Sequence, residues 1–315
     1  MARFVLRRIV ALIVVLLLTS ILIFFMMRVA GGDIVSVTLG ANATPERIEA
    51  FREQFGLNAP LVGQYTDWML GLLQGDLGQT FVSHTSIGQA ILERLPVTAS
   101  LIIGALLIEA VIALPLGTLA ALHARNAFGS LLTLIGQIGI AIPTFWAGVL
   151  IASFVGVTLG WFPTSGWVPW SDNPLGSLQH LVLPCVSLAV VEAAGASRYV
   201  RTSMLGVLNE DYMRMSRATG MSRRATLVRV GWRNAALPIV TVFGLQAASL
   251  IGGAVVIEKV FALPGLSSLI LEAVGRREVV EVQSSVMVLV FFVAFINFMV
   301  DILYGLLDPR VRAWR

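Results

Sequence analysis

Six long apolar runs recur along the chain, at about Ile9 to Val29, Ala99 to Leu122, Leu131 to Leu159, Leu181 to Ser203, Ala235 to Ile257 and Val282 to Leu307. A helix needs about 20 apolar residues to cross roughly 30 Å of hydrocarbon, and within the bilayer every backbone N–H and C=O must be satisfied by protein. Runs of this length, spread from end to end, specify an all-α membrane protein with six transmembrane helices. Composition agrees: 57% of the 315 residues are hydrophobic and only 13% charged, against about 25% charged in ordinary soluble domains. Because neither half is spared, residues 1–315 read as one transmembrane domain. Within it, 1–30 form an N-terminal anchor helix, 31–97 an extracytoplasmic loop and 98–307 a core region.

The basic residues orient these spans. The formal charge is +4, but the arginines sit at the ends of apolar runs, which points to membrane topology and a lipid bilayer rather than to nucleic acid. Arg3, Arg7, Arg8, Arg125, Arg310, Arg312 and Arg315 fall on one side together with the eight arginines between Arg198 and Arg233. The opposite side holds Arg28, Arg47, Arg52, Arg94, Lys259, Arg276 and Arg277. Positive-inside therefore predicts both termini in the cytoplasm. The first run exceeds the 7 to 15 apolar residues of a signal-peptide core, so it reads as an uncleaved signal-anchor.

In the outer loop, Thr44-Pro45-Glu46 predicts a helix start, with a short surface helix from Pro45 to Phe55 stopping near Gly56. Trp161, Trp167 and Trp170, among prolines and glycines between the third and fourth spans, suit an interfacial aromatic belt. Gly156 and Gly160 form a single GxxxG, which alone is weak support for a helix contact.

Catalytic equipment is sparse. His84, His123 and His180 lie in three separate connections outside any HExxH or Cys/His cluster, and the lone Cys185 reads as a small buried hydrophobe, so no metal site is expected. A phosphate-binding loop needs Gly-Lys-Ser/Thr, yet the sole lysine, Lys259, follows Ile257-Glu258. Gly195-Ala196-Ser197 lacks a base: His180 is at the other end of the same span, about 24 Å away along the helix. The pattern excludes a nucleotide site of the Walker type and disfavours an intramembrane hydrolase.

Ionisable groups inside spans are costly and therefore functional candidates. Glu109, Glu192 and Asp301 qualify, with Gln137, Gln246 and Asn297 as polar companions. They could couple transport to an ion, or Glu192 and Asp301 could form structural pairs with Arg198 or Arg201. Glu258, at the outer end of the fifth span, joins Glu109, Gln137, Glu192, Gln246 and Asp301 as a candidate for the translocation path or its gating.

The segment 209–233 is too polar to cross a bilayer. Asn209 is expected to cap a helix with Glu210 and Asp211 in its first turn, Gly220 to end it in a left-handed residue, and Ser222 to cap a second helix from Arg223 to about Val230, interrupted near Gly231. The arginines could simply anchor helix ends at anionic headgroups. That does not explain Tyr212, Met215, Met221 and Leu227 clustered about the glycine, an apolar set suited to gripping a partner.

At these residues the chain resembles the inner-membrane permease subunits of ABC importers, in the dipeptide/oligopeptide/nickel group. DYMRMSRATGMS followed by RNAALPIVT looks like that group's coupling motif. FVLRRIVALI, the outer-loop stretch ATPERIEAFREQFGLNAPLVGQYTDWMLGLLQGDLGQTF, RLPVTASL, IPTFWAGVL, LGWFPTSG, HLVLP, GGAVVIEKVFALPGL and VDILYGLLDPRVR match in order along nearly the whole chain. Where the broader family carries Glu-Ala-Ala before the glycine, this chain has Arg214, Met215 and Ser216. The resemblance implies a type I ABC importer permease of a bacterial inner membrane, paired with a second permease subunit. Two ATP-binding subunits would carry ATP and Mg, and an extracytoplasmic binding protein would deliver short peptides or nickel- or glutathione-type solutes. It also implies an ATPase-coupling surface at Tyr212, Met215, Ala218, Gly220, Met221, Arg223, Arg224 and Leu227, and no catalysis in this chain. The alternatives from other classes are a self-sufficient ion-coupled secondary transporter and a membrane scaffold.

Overall fold

Ile142 and Pro143 divide what reads in sequence as one uninterrupted span. The computed structural model describes residues 2–30, 35, 44–81 and 83–307. Its helices are α1 (Ala2–Ala30), α2 (Pro45–Gln54), α3 (Leu61–Gln74), α4 (Ile87–Leu122), α5 (Ala127–Ala141), α6 (Thr144–Ile151), α7 (Pro174–Leu208), α8 (Asp211–Ala218), α9 (Arg223–Thr226), α10 (Trp232–Val260), α11 (Leu266–Arg276) and α12 (Val279–Leu307). Wider π-helical turns follow α6, over Ala152–Thr158, and α9, over Leu227–Gly231. Among the described residues the only bridge of β type pairs Gln79 with Ser86. Among the described residues, five helical stretches are long and apolar enough to span a membrane, namely Arg3–Arg28, Ile87–Leu122, Pro174–Leu208, Arg223–Val260 and Val279–Ile302.

The sixth expected span, Leu131 to Leu159, is not straight. It consists of Ala127–Ala141 and Thr144–Thr158, bent by 99°. Pro143 has no N–H to donate to the preceding turn, and its ring forces the residue before it out of the helical region. Ile142 is accordingly extended (φ −82°, ψ 121°), and Pro143 (φ −63°, ψ 137°) becomes the residue from which α6 starts. Pro184 and Pro238, by contrast, lie inside α7 and α10.

The described residues fall into two compact units. One takes Met1–Arg8, Ala99–Leu263 and Phe295–Arg315. Its centre is α7, against which neighbouring helices pack through glycines. A Cβ on Gly139 of α5 would lie 2.6 Å from Ala194 Cβ, and one on Gly117 of α4 2.5 Å from the Ser197 carbonyl oxygen. Small residues here substitute for bulk and let backbones approach, as expected where lipid gives helices no hydrophobic drive to associate. Gly156 also meets α7, its Cβ position blocked by Thr164 and 3.1 Å from Leu183, but Gly160 sits in a left-handed turn (φ 67°) beyond the helix. The GxxxG is therefore no two-glycine helix face.

The other unit takes Ile9–Thr98 and Pro264–Ala294. The expected surface helix forms as α2, with Thr44 at its start, Pro45 in its first turn and Gly56 left-handed after it. The stretch 61–97, expected as loop, holds α3 and the first three turns of α4. Leu61, Val62, Leu70 and Leu73 of α3 are exposed, so apolar residues occupy both of its faces and its sequence carries no clean helical periodicity. Phe51, Phe81, Val35 and Val279 form one buried cluster of this unit, with Phe55 and Leu57 against them. Hydrogen bonds tie the two stretches together: Phe81 N donates to Glu278 Oε2 (2.8 Å), Leu266 N to Thr98 Oγ1 (2.8 Å) and Ser284 Oγ to the Leu77 carbonyl (2.9 Å).

Candidate functional site: an exposed helical segment and a buried polar cluster

Between α7 and α10 the chain builds a small projecting element from local signals. Asn209 closes α7 rather than opening α8: its N–H donates to the Gly206 carbonyl (3.3 Å), and the Glu210 N–H to that of Val207 (3.2 Å). Glu210, extended at φ −71° and ψ 148°, is the residue before α8, with Asp211 in the first turn and Arg217 in the last, both placed to complement the helix dipole. Gly220 follows at φ 92°, its N–H bonded to the Arg217 carbonyl (3.1 Å) while Met221 N reaches Ser216 (3.3 Å). A Cβ at Gly220 would meet nothing within 4 Å. The requirement for glycine there is thus one of backbone conformation alone. Ser222 Oγ then accepts from Ala225 N (3.2 Å), capping α9 as expected.

No interruption follows at Gly231. That residue is helical (φ −59°, ψ −58°), and the π turn carries α9 directly into α10, so Arg223–Val260 is one 38-residue helix. The second element of the segment is thus an extension of the fifth span.

The faces of α8 differ sharply. Met213 is buried, its methyl 3.5 Å from the Cβ position of Gly231. Tyr212 and Met215 are exposed, Met215 at 70%, as are Ala218, Gly220, Arg223 and Arg224. Partial desolvation, and then the Glu210 charge, hold the Tyr212 phenol above its ordinary pKa. Met221 is half-buried, and Leu227 turns inward against Val200, Met204, Ala235 and Ile239. Leu227 is therefore a packing residue, not part of the exposed face; Val228 is exposed instead.

The intramembrane candidates separate into one group and three outliers. Glu109 of α4, Glu192 of α7 and Gln246 of α10 come together. Glu109 is fully buried, and neither of its carboxyl oxygens has a hydrogen-bond partner. Glu192 lies close enough to feel its charge, and the Glu192 side chain also sits beside Gln246 and Ser249. Gln246 Nε2 donates to the Glu192 backbone carbonyl (3.2 Å). Ser249 was not singled out in sequence, although it follows Gln246 by three residues and so shares its helix face.

Asp301 is elsewhere: it pairs with Arg8 at 3.0 Å, joining α12 to α1. The arginines nearest in topology, Arg198 and Arg201, are not its partners; they line a small cleft with Gln137 of α5, which is exposed, and with Ser197. Glu258 is fully buried near the end of α10, where its carbonyl accepts from Leu263 N (2.8 Å). Among the described residues no group of three or more His, Cys, Asp or Glu could hold a metal ion.

Comparison with known proteins adds an independent line. The sequence profile of the binding-protein-dependent transport system inner membrane component family matches residues 113–313, and that family's N-terminal profile matches residues 1–102. A Brucella abortus protein named for a peptide transport system permease is 39% identical over 312 residues, covering 99% of each chain. The oligopeptide transport system permease protein AppB of Bacillus subtilis is 36% identical over 314 residues, again 99% of each. The glutathione transport system permease protein GsiC of Escherichia coli is 35% identical over 313 residues, also 99% of each.

Proposed function

Because the chain belongs to the binding-protein-dependent transport system inner membrane components, and is therefore a multi-pass permease subunit of an ABC importer, we propose that the segment 209–233 is the surface on which partner ATP-binding subunits act. The observation that carries this reading is the build of α8: an exposed apolar pair, Tyr212 and Met215, rimmed by arginines and terminated at a left-handed Gly220. A helix made only to reverse the chain has no use for an exposed methionine.

In this reading the chain hydrolyses no ATP. Two ATP-binding subunits close on ATP and Mg, press on α8, and move α7 and α10 together as packed bodies. The direct continuation of α9 into α10 makes the lever short. Segment 209–233 and both termini face the cytoplasm, as the distribution of arginines requires. A second permease completes the path, and an extracytoplasmic binding protein delivers the solute. Short peptides, including glutathione-like ones, are the cargo favoured by the relatives' names, with selection left largely to the binding protein. Glu109, Glu192 and Gln246 are proposed as a polar girdle lining or gating that path. A self-sufficient ion-coupled carrier is disfavoured, since the family matched is one of binding-protein-dependent systems.

Gly220→Pro and Gly220→Glu test the coupling. Both should insert normally, and in vesicles holding the whole complex they should leave ATP hydrolysis running while uptake falls at least about tenfold. Normal uptake by either variant removes the assignment.

A further inference from the structure

The helix α3 turns its aromatic residues inward and leaves much of its apolar surface uncovered. The Tyr65 hydroxyl shares a 2.9 Å hydrogen bond with Ser20 Oγ of α1, and Trp68 stacks on Phe24 with ring centroids 6.2 Å apart. Trp68 Nε1 also donates to Ser284 Oγ of α12 (3.4 Å), which in turn donates to the Leu77 carbonyl just beyond α3 (2.9 Å). Val62, Thr66, Leu70 and Leu73, at helical spacing, share a different face, and all four are exposed, Leu73 at 78%. Thr66 is the polar member of this set, and its hydroxyl donates to the Gly63 carbonyl (2.8 Å), so it presents no unmet donor. Asp67 and Gln74, also exposed, border the face on one side, and α3 contains no Lys or Arg.

The contacts with α1 and α12 set how deep this face lies. The span Arg3–Arg28 has 26 residues, about 39 Å of helix, and so overhangs a hydrocarbon core of roughly 30 Å by about 4 to 5 Å at each end. Ser20 stands about 12 Å along the axis from Arg28, inside the hydrocarbon, and Ser284 about 8 Å from Val279, where the span in α12 begins. Side chains that reach these two serines from the flank hold α3 at the boundary between headgroups and acyl chains, the level at which Trp and Tyr concentrate. At the same level α1 exposes Leu18, Leu22 and Phe25, so lipid already meets the helix on which α3 packs. We propose that Val62, Leu70 and Leu73 are immersed in the bilayer leaflet that Arg28 reaches, making α3 an interfacial membrane helix within a stretch expected as loop. Its apolar side chains enter the acyl boundary by about 5 to 10 Å, while Asp67 and Gln74 stay among the headgroups. With no basic residue on the helix, apolar burial rather than attraction to anionic lipid holds it there.

Spin labels on single introduced cysteines test it, in the full-length protein reconstituted in nanodiscs of phosphatidylethanolamine and phosphatidylcholine. Cys185 is buried and stays in place. Labels at Val62→Cys, Leu70→Cys and Leu73→Cys should collide severalfold more with oxygen, which concentrates among acyl chains, than with a water-soluble nickel chelate, matching a label at Leu18→Cys. The exposed Glu46→Cys of α2 should show the opposite preference. Along α3 the oxygen-to-chelate ratio should fall at Asp67→Cys and Gln74→Cys, and raising the salt should leave the whole pattern unchanged. Chelate access at Leu70 and Leu73 equal to that at Glu46 would overturn the proposal and return α3 to water. Low access to both reagents would overturn it as well, assigning the face to a second copy of the chain. Each label is read at its own surface position, so a variant that fails to fold leaves the others to decide. The readout uses neither ATP nor uptake, so its failure is distinguishable from failure of the coupling assignment.

Discussion

Glu109 and Gln246 show what a polar residue costs inside this bundle. Glu109 is fully buried with both oxygens unsatisfied, so Glu109→Gln removes no hydrogen bond and spares the fold a potential buried charge. Thermal unfolding of the purified variant should be unchanged or raised by about 2 °C; a clear drop would show that the carboxyl group has a partner after all. Gln246→Leu, in contrast, deletes the bond to the Glu192 carbonyl and should lower stability by about 1 kcal/mol in the same assay. The sequence made these residues visible as polar exceptions in apolar runs. It could not show that Glu109, Glu192 and Gln246 converge while Asp301 leaves for Arg8, because convergence depends on the rotation of three helices about their axes. Gly220 was legible for the opposite reason: left-handed termination is decided by its own backbone, and no neighbour takes part.

The elements repeat this division between local and long-range causes. Caps and stops at Pro45, Gly56, Ser222 and Gly220 were readable in the chain because each acts within four residues. The helix α3 was not, since Leu61, Val62, Leu70 and Leu73 put apolar residues on its exposed side and blur the one-sided pattern. Met215 illustrates what exposure of an element implies. Having no partner in the fold, it should tolerate Met215→Asp with less than about 0.5 kcal/mol lost. Copurification of the ATP-binding subunits with the permease should nevertheless fall severalfold. Retained copurification with an unfolded permease would reverse the reading and make α8 structural. The bend of 99° at Ile142-Pro143 is an element-scale claim too: Pro143→Ala permits α5 to run on, and spin labels at Ile135 and Val149 should move apart. An unaltered distance would assign the bend to packing instead of proline.

For the molecule as a whole, the fold class was open to sequence reading because apolar run length answers to one external dimension, the thickness of hydrocarbon. The division into two units was not, since each unit joins stretches from distant parts of the chain. Topology remains testable at this scale: reporters fused after Gly75 and after Leu307 should report opposite sides of the membrane, the second cytoplasmic. The broken third span carries one further implication, for biogenesis. Each arm holds 15 residues, about 22 Å of helix, short of the bilayer core, and the break leaves backbone groups that hydrocarbon cannot satisfy. Neither arm can partition into lipid on its own merits. The glycines by which α5 rests on α7 become usable only once α7 has been synthesised, so this stretch must linger at the translocon until the next span emerges. A single proline thereby makes insertion of this span depend on the span that follows it.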